Sequence, residues 1–360
     1  MPKNDDIRNV HPGESQIETT VKDTVCNYSK FLQAEDRCHR LVGYKNSVSR
    51  AHMLKMSRCY NLYAEMLNGT YRCEFGDEFA IYEPRYRIVT TTRYRDRIPQ
   101  TSFILNFYYP YIVPQLIDNN FACLKNRGVD DARNTMVKLL REAEETDVCL
   151  KVDIHDYFGS IEHTILFEEM YPYIQDEWGM WFYKDVVNSN GKQKGIGLGS
   201  EINQLSATTL TNRIDHAILQ FTTKYERYMD DFIVIGSRQI CENVLYYIKE
   251  ELAKLHLEVS PKKTYIQSVM KPIKFLGFTF LKHPTGKITM RRMTGKLNNE
   301  KRKLRRMKRA NVPFNKVIEH RDCIRSLMKK GVRSGVIKYD RYFNNLFKEE
   351  LDNVRKNSEG

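Results

Sequence analysis

The spacing of apolar residues predicts one long helix in the first part of the chain. From residue 47 to residue 67 apolar side chains recur at helical intervals, and Asn68-Gly69 follows as a stop signal. The predicted apolar face comprises Val48, Met53, Met56, Tyr60, Tyr63 and Leu67. Residues 1–40 are more polar, and we expect them to form a loose arm followed by a short helix.

The middle of the chain alternates between strand and helix patterns. Strands are predicted at residues 79–82, 87–89, 148–154, 264–268 and 275–281, with a hairpin at 228–235. Helices are predicted at residues 161–173, 201–221 and 239–255. This order indicates an α+β fold with a split β-α-β (ferredoxin-like) sheet, in which functional groups gather at strand ends and hairpin turns.

The composition changes after residues 283–286. Lys and Arg dominate residues 287–309, where Glu300 is the only acid. Three apolar stripes run through this last part of the chain: Leu297, Leu304 and Met307; Phe314, Val317, Ile318, Ile324 and Leu327; and Val336, Tyr339, Tyr342, Phe343 and Leu346. We therefore predict a small helical domain with one very basic face, which is either a solvated helix face or a grip on a polyanion backbone.

The overall charge indicates the class of partner. The 58 Lys and Arg residues outnumber the 45 Asp and Glu residues, which leaves a formal net charge of +13. This excess favours nucleic acid as a partner, although a generically basic protein is the alternative. The eight cysteines show neither Cys-x-x-Cys pairs nor zinc-ligand spacing, as expected for reduced thiols of a cytoplasmic protein. No apolar run is long enough to cross a membrane.

Two adjacent carboxylates, Asp230 and Asp231, stand at the tip of the predicted hairpin. Unit charges about 4 Å apart repel by about 4 kcal/mol at the effective dielectric near a protein surface, so a divalent cation is the natural remedy. Asp153 ends another strand and would complete the cluster, and Ile154 would offer a backbone carbonyl. A lone Asp-Asp turn is usually solvated, but three carboxylates from two strands are what a two-metal phosphoryl-transfer site requires.

Several further motifs accompany these aspartates in a fixed order. They lie at residues 95–100, 119–128, 153–158, 198–204, 228–231, 261–264 and 275–278. With these motifs the chain resembles reverse transcriptases, specifically the bacterial group of retron, diversity-generating and defence-associated enzymes, from about Arg85 to Phe280. The resemblance implies a right-hand polymerase with an N-terminal arm and fingers at residues 1–146, a palm at 147–283 and a basic helical thumb at 284–360.

The resemblance also implies a role for each motif residue. Two Mg²⁺ ions, or Mn²⁺ in their place, would be held by Asp153, Ile154, Asp230 and Asp231. Residues implied to meet the nucleotide are Arg87, Arg97, Asp156, Phe158, Leu198, Gly199 and Lys263. Residues implied to hold the primer and template are Phe275, Leu276, Gly277, Arg302, Arg305 and Arg306.

Several of these residues have an alternative to the implied nucleotide role. Phe158 would be the steric gate against a ribose 2′-hydroxyl, although alone it would be a core residue. Asp156 would either cap the helix that begins near Ile161 or touch the triphosphate through its backbone. Lys263 would donate a proton to pyrophosphate or make a plain phosphate contact. The guanidinium of Arg97 suits bidentate contact with phosphate oxygens.

Two positions depart from the usual family pattern. Leu198 stands where many reverse transcriptases have Gln. A residue other than Gln at this position resembles diversity-generating and some defence-associated enzymes, and it bears on fidelity. Asn203-Gln204 replaces the usual Ser-Gln or Ser-Pro.

The expected function is RNA-directed DNA polymerisation by a nucleotidyltransferase. The substrates would be dNTPs and a dedicated non-coding RNA template, the product DNA, and the setting anti-phage defence in the cytoplasm, with a protein partner or a second copy. Because no RNase H, endonuclease or maturation segment is recognised, we expect neither intron mobility nor retroviral replication. The alternatives are an error-prone diversity-generating enzyme, a repeat-adding or untemplated protein-primed polymerase, and a catalytically inactive RNA-binding scaffold.

Overall fold

A computed structural model describes residues 20–81, 87–292, 295–329 and 333–352. The polar arm predicted at the N-terminus lies almost wholly outside these residues. The chain divides into two compact units, one of Met1–Leu139 with Thr146–Ser268 and one of Leu140–Glu145 with Val269–Gly360. The assignment of fingers, palm and thumb within these units stays a prediction.

Helices dominate the first unit. The helices up to the first strand of its main sheet are α1 (Val21–Val25), α2 (Tyr28–Val42), α3 (Asn46–Met53), α4 (Lys55–Leu67), α5 (Tyr94–Phe103), a π-helix (Ile104–Ile112), a 3-10 turn (Val113–Gln115) and α6 (Val129–Glu142). The later helices are α7 (Tyr157–Ser160), α8 (His163–Ile174), α9 (Glu177–Asn188), α10 (Glu201–Leu210), α11 (Asn212–Phe221) and α12 (Arg238–Lys254). A short ribbon is formed by β1 (Glu78–Ile81) and β2 (Arg87–Thr90).

The main sheet has four antiparallel strands. They are β3 (Val148–Asp153), β4 (Tyr225–Tyr228), β5 (Asp231–Gly236) and β6 (Tyr265–Ser268), in the spatial order β4-β5-β3-β6. Phe232, Ile233, Val234 and Ile235 are all fully buried, which explains why β5 reads as an unbroken apolar run. Helix α12 packs on β3 and β5, and α11 packs on β4. The predicted α+β class is confirmed.

The predicted helix at 47–67 is wrong in two respects. It is broken at Leu54 into α3 and α4, although α4 does end just before Asn68-Gly69. Its predicted buried face is largely exposed: Met53 is 84% exposed and Met56 is 62% exposed. Val48 is buried as predicted, and the rest of the buried side is formed by Ala51, Cys59, Leu62 and Met66. The buried residues keep one helical period across the break, and most of the predicted residues lie on the neighbouring stripe, one residue or about 100° further round the helix.

Two other predicted elements are each interrupted in the structure. The helix predicted at 201–221 is two helices separated at Thr211. The strand predicted at 275–281 is split by the turn Leu276-Gly277, where both residues have positive φ angles of 43° and 81°. Positive φ at two successive positions is the geometry of a tight hairpin turn, and it converts one predicted strand into two.

The second unit contains a small sheet and three helices. Its elements are β7 (Ile273–Phe275), β8 (Phe278–Lys282), β9 (Ile288–Arg292), α13 (Gly295–Arg309), α14 (Phe314–Lys329) and α15 (Arg333–Leu346). Strand β9 falls in the basic run that was predicted to be helical. The helices enclose a core of Leu304, Val317, Tyr339, Phe343 and Phe347, so the predicted stripes supply its inner faces. Among the described residues, no helix is long and apolar enough to cross a membrane.

Candidate active site

The aspartate pair lies at the turn between β4 and β5. Tyr228 pairs with Asp231, which leaves Met229 and Asp230 as the two turn residues. Met229 has a φ angle of 58°, a left-handed conformation that residues with a side chain seldom adopt. This tight turn is what brings Asp230 and Asp231 to the same end of the sheet.

Asp153 lies directly across the sheet from Asp231. The two residues are register partners at the ends of β3 and β5. The amide of Ile154 donates to the carbonyl of Asp230 at 3.2 Å, and the amide of Ser260 donates to the carbonyl of Asp153 at 2.7 Å. These backbone bonds join the end of β3 to the turn on one side and to the segment before β6 on the other.

Burial and neighbouring carboxylates raise the pKa of both residues of the aspartate pair. Burial, followed by the charges of Asp231 and Asp153, raises the pKa of Asp230 to about 6. Burial also raises the pKa of Asp231, against the opposing effect of Lys151. A site that penalises its own negative charges in this way favours a bound cation.

Two lysines meet these carboxylates in the structure. The ammonium of Lys263 donates to both oxygens of Asp153, at 2.5 and 2.8 Å. The ammonium of Lys151 forms an ion pair with Oδ1 of Asp231 at 2.9 Å. Lys151 belongs to β3 and points to the same face as Asp153, because it lies two residues earlier on the strand. Lys263 was predicted at the site from its motif, whereas Lys151 was not.

The donor set suits a hard divalent cation. Carboxylate oxygens are the ligands that Mg²⁺ and Mn²⁺ prefer, and Asp153, Asp230 and Asp231 supply them at one end of the sheet. A different group, Glu35, Asp36 and His52, is the one set within the described residues whose ligand atoms all lie within 4.8 Å of one another. Lys55 and Tyr94 already bond its carboxylates, at 2.7 Å each.

Arg97 and Gly199 line one cavity of about 210 Å³. The cavity lies between α5 and the loop before α10, and the Arg97 Nε donates to the carbonyl of Thr92 at 3.1 Å. Gly199 pairs with Thr91, and a Cβ at Gly199 would lie 1.9 Å from the carbonyl oxygen of Thr90. Only glycine permits this approach of the loop to the end of β2. Two residues that were predicted to contact the nucleotide thus line the same cavity.

The departure at Asn203-Gln204 has a structural role in the same loop. The Asn203 side chain donates to the carbonyl of Gly197 at 3.1 Å, and the Gln204 side chain donates to that of Leu198 at 2.7 Å. Leu198 itself is half-buried. The first turn of α10 therefore holds the loop that carries Leu198 and Gly199.

Phe158 and Asp156 lie on the short helix α7 and at its start. Phe158 is half-buried against the core, and its carbonyl accepts from the Ile196 amide at 3.0 Å. Asp156 has a φ angle of 40° and makes no side-chain cap. The predicted helix near Ile161 begins at His163, so the capping role of Asp156 is wrong.

The remaining predicted residues lie on other elements. Arg87 begins β2, and its side chain lies outside the described part of the chain. Phe275, Leu276 and Gly277 form the β7–β8 turn region of the second unit. Arg302, Arg305 and Arg306 are exposed on α13 of that unit.

Sequence reasoning missed a buried network beneath the aspartate turn. It joins Arg227 of β4 to Asp215 of α11, and both side chains are fully buried. A signal was present in the alternation of β4, which places Arg227 on the same face as the buried Tyr225. An arginine at an inward position is costly without a partner, and the sequence did not reveal which acid would supply one.

This antiparallel sheet, with aspartates from two adjacent strands at one end, defines a polymerase of the right-hand class. Residues 83–280 match the family described as reverse transcriptase (RNA-dependent DNA polymerase). Because the match covers more than half of the chain, the protein belongs to the reverse transcriptase family.

Individual relatives match more weakly. The chain is 35% identical over 91 residues to the group II intron-encoded protein LtrA of Lactococcus lactis subsp. cremoris, as found also in strain MG1363. This match covers 23% of the chain and 13% of the length of LtrA. Two structures of apo telomerase from Candida tropicalis, one truncated from the C-terminal domain, align with TM-scores of 0.41 and 0.42 at 12% and 13% identity. They cover 58% and 59% of this chain, and 47% and 54% of theirs.

Proposed function

We propose that this protein is an RNA-directed DNA polymerase whose nucleotidyl transfer depends on Asp153, Asp230 and Asp231. The observation that carries the proposal is the pairing of Asp153 with Asp231 across β3 and β5, beside Asp230 in the turn. The raised pKa of Asp230, about 6, supports a site built to receive positive charge. Family membership supports the same chemistry.

Each residue at this end of the sheet has a distinct task in the proposal. Asp153, Asp230 and the Ile154 carbonyl would hold the metal ions, and Asp231 would contribute charge and orientation. When bound, two Mg²⁺ ions would activate the primer 3′-hydroxyl and neutralise the triphosphate. Lys263 would have to leave Asp153 before that carboxylate could bind a metal ion. Its ammonium would then contact phosphate or donate a proton to pyrophosphate.

The incoming dNTP is assigned to the residues of the Arg97 cavity. Arg97 supplies a guanidinium for phosphate oxygens, and Gly199 lets the loop approach β2 closely. Arg87 and Asp156 are further candidates for the triphosphate, and Phe158 selects against ribose. In the second unit, Phe275 to Gly277 and the exposed arginines of α13 hold primer and template.

The biological role that we propose is the copying of a dedicated non-coding RNA during anti-phage defence in the cytoplasm. It rests on the motif resemblance to retron and defence-associated enzymes. Sequencing the nucleic acids that co-purify with the protein should give one discrete RNA and its complementary DNA. Diverse cDNA with errors would favour the diversity-generating alternative suggested by Leu198, and DNA linked to a tyrosine would favour protein priming.

The mechanism is tested by replacing the turn carboxylates. Asp230→Asn/Asp231→Asn should abolish dNTP incorporation, because the amides cannot offer anionic oxygens to a metal. RNA affinity should stay within about threefold, since phosphate contacts with Lys and Arg dominate binding. The control is Asp118→Asn, whose carboxylate is fully exposed. Unchanged synthesis by the double variant would sink the mechanism, and absent synthesis by wild-type protein would favour an RNA-binding scaffold.

A further inference from the structure

Arg227 and Asp215 form a fully buried ion pair under the aspartate turn. Nε and one terminal nitrogen of Arg227 donate to the two oxygens of Asp215 at 2.7 and 2.6 Å. The hydroxyl of Tyr225 donates to the same carboxylate at 2.6 Å. A buried pair is a poor device for stability, because well-packed apolar residues often serve as well. Its presence therefore calls for another explanation.

The same guanidinium also reaches the turn itself. One terminal nitrogen donates to the carbonyl of Met229 at 2.9 Å, and the other to the carbonyl of Thr208 at 2.7 Å. Arg227 therefore joins three elements: α11 through Asp215, α10 through Thr208, and the turn through Met229. The Met229 carbonyl belongs to the peptide group that leads directly into Asp230.

That peptide group is at a strained position. Met229 holds a φ angle of 58°, where turns of this kind normally carry Gly or Asn. A hydrogen bond to its carbonyl fixes the plane of the peptide and so the direction in which Asp230 leaves the turn. The Ile154 amide holds the next carbonyl, that of Asp230, at 3.2 Å. Both carbonyls of the turn are thus fixed, one by Arg227 and one by β3.

We propose that Arg227 is a positioning residue that acts through Met229 to aim the Asp230 carboxylate for metal binding. The proposal rests on the proposed function, in which Asp230 is a metal ligand. Asp215 holds the arginine in place by its bidentate contact. A purely structural pair would affect folding alone, whereas a positioning residue also affects the affinity of the correctly folded protein for metal.

Two variants separate these roles. Arg227→Lys keeps the charge beside Asp215 but loses the fork that reaches the pair and the turn together. Arg227→Gln/Asp215→Asn removes both charges at once, so that no buried charge is left alone, and it also removes the hydrogen bond to the Met229 carbonyl. The matched control is Tyr225→Phe, which deletes one hydrogen bond to the same Asp215 without touching the turn.

The first readout is Mn²⁺ binding to the protein alone, followed by electron paramagnetic resonance, with Asp230→Asn defining the signal from the site. In both Arg227 variants Mn²⁺ affinity should fall about 10- to 100-fold, the usual effect of removing a group that orients a metal ligand. The second readout is kcat, which should fall while primer–template affinity stays unchanged. Tyr225→Phe should match wild type in both.

Wild-type Mn²⁺ affinity in folded Arg227 variants would overturn the proposal. Loss of the folded state in both variants, as measured by circular dichroism, would also overturn it, because the network would then serve stability. The metal readout separates this proposal from the proposed function. A wild-type protein that binds Mn²⁺ but extends no primer contradicts the polymerase assignment, and the comparison of Mn²⁺ affinities still decides the role of Arg227.

Discussion

Replacing Lys263 by methionine is expected to lower the free energy of unfolding of the metal-free protein and to raise its affinity for a metal ion. The lysine ammonium bonds both oxygens of Asp153 in the structure. It therefore occupies the oxygens that a metal ion would need, and it also offsets the repulsion among the three aspartates. Methionine has a similar length but carries no charge. The metal-free protein should therefore lose stability while its affinity for metal rises.

The size of the effect follows from distance and exposure. Unit charges at 2.8 Å attract by about 6 kcal/mol at an effective dielectric of about 20. The Lys263 side chain is 39% exposed, and solvent and side-chain entropy reduce the net value of such pairs to about 1 kcal/mol. We therefore expect the free energy of unfolding without metal to fall by about 1 kcal/mol, and Mn²⁺ affinity to rise about fivefold.

The assay combines denaturant unfolding in the presence of EDTA with calorimetric titration of Mn²⁺. Lys262→Met is the control, because Lys262 is the exposed neighbour of Lys263 and loses the same charge from the same segment. A Lys263→Met protein with unchanged stability and unchanged Mn²⁺ affinity would refute the reasoning. Weaker Mn²⁺ binding would refute it as well, since the lysine would then assist metal binding rather than compete with it.

Three further predictions concern the remaining parts of the proposed machinery. Phe158→Ala should admit ribonucleotides, measured as rNTP incorporation, and a wild-type rNTP level would reject the gate. Gly199→Ala should lower the melting midpoint and dNTP affinity together, because its Cβ would lie 1.9 Å from the Thr90 carbonyl oxygen. A variant with the melting midpoint and dNTP affinity of the wild type would contradict the close approach. Neutralising three exposed arginines of α13 should flatten the salt dependence of nucleic-acid binding by about one unit of slope for each phosphate that is no longer neutralised, and an unaltered slope would return the helix to a solvated role. These arginines are Arg302, Arg305 and Arg306.

The aspartate turn could be predicted from the sequence because its signals are local. A charged pair interrupts two runs of strand residues, and the strand that ends at Asp153 shows the same polar end after an apolar run. Strand ends of one sheet meet, so local patterns were sufficient to predict the cluster. The structure places Asp153 opposite Asp231, in agreement with that prediction.

The partners of the turn could not be predicted, because they depend on contacts between distant segments. Arg227 meets Asp215 across a strand and a helix, and Lys151 meets Asp231 across two strands. The prediction of the buried face of α3 and α4 was wrong for a related reason. Two apolar stripes run along this segment about 100° apart, and periodicity alone does not show which of them is covered by distant parts of the chain.

The exposed face of α3 and α4 gives the protein a built-in chemical footprint. Met53 is 84% exposed and Met56 is 62% exposed, whereas Met66, Met136 and Met170 are fully buried. Thioethers open to solvent oxidise to sulfoxides much faster than buried ones. Mild peroxide treatment and mass spectrometry should therefore label the first pair and spare the other three, which act as internal standards. Protection of Met53 and Met56 on adding RNA, primer–template or a second protein would identify what covers this face.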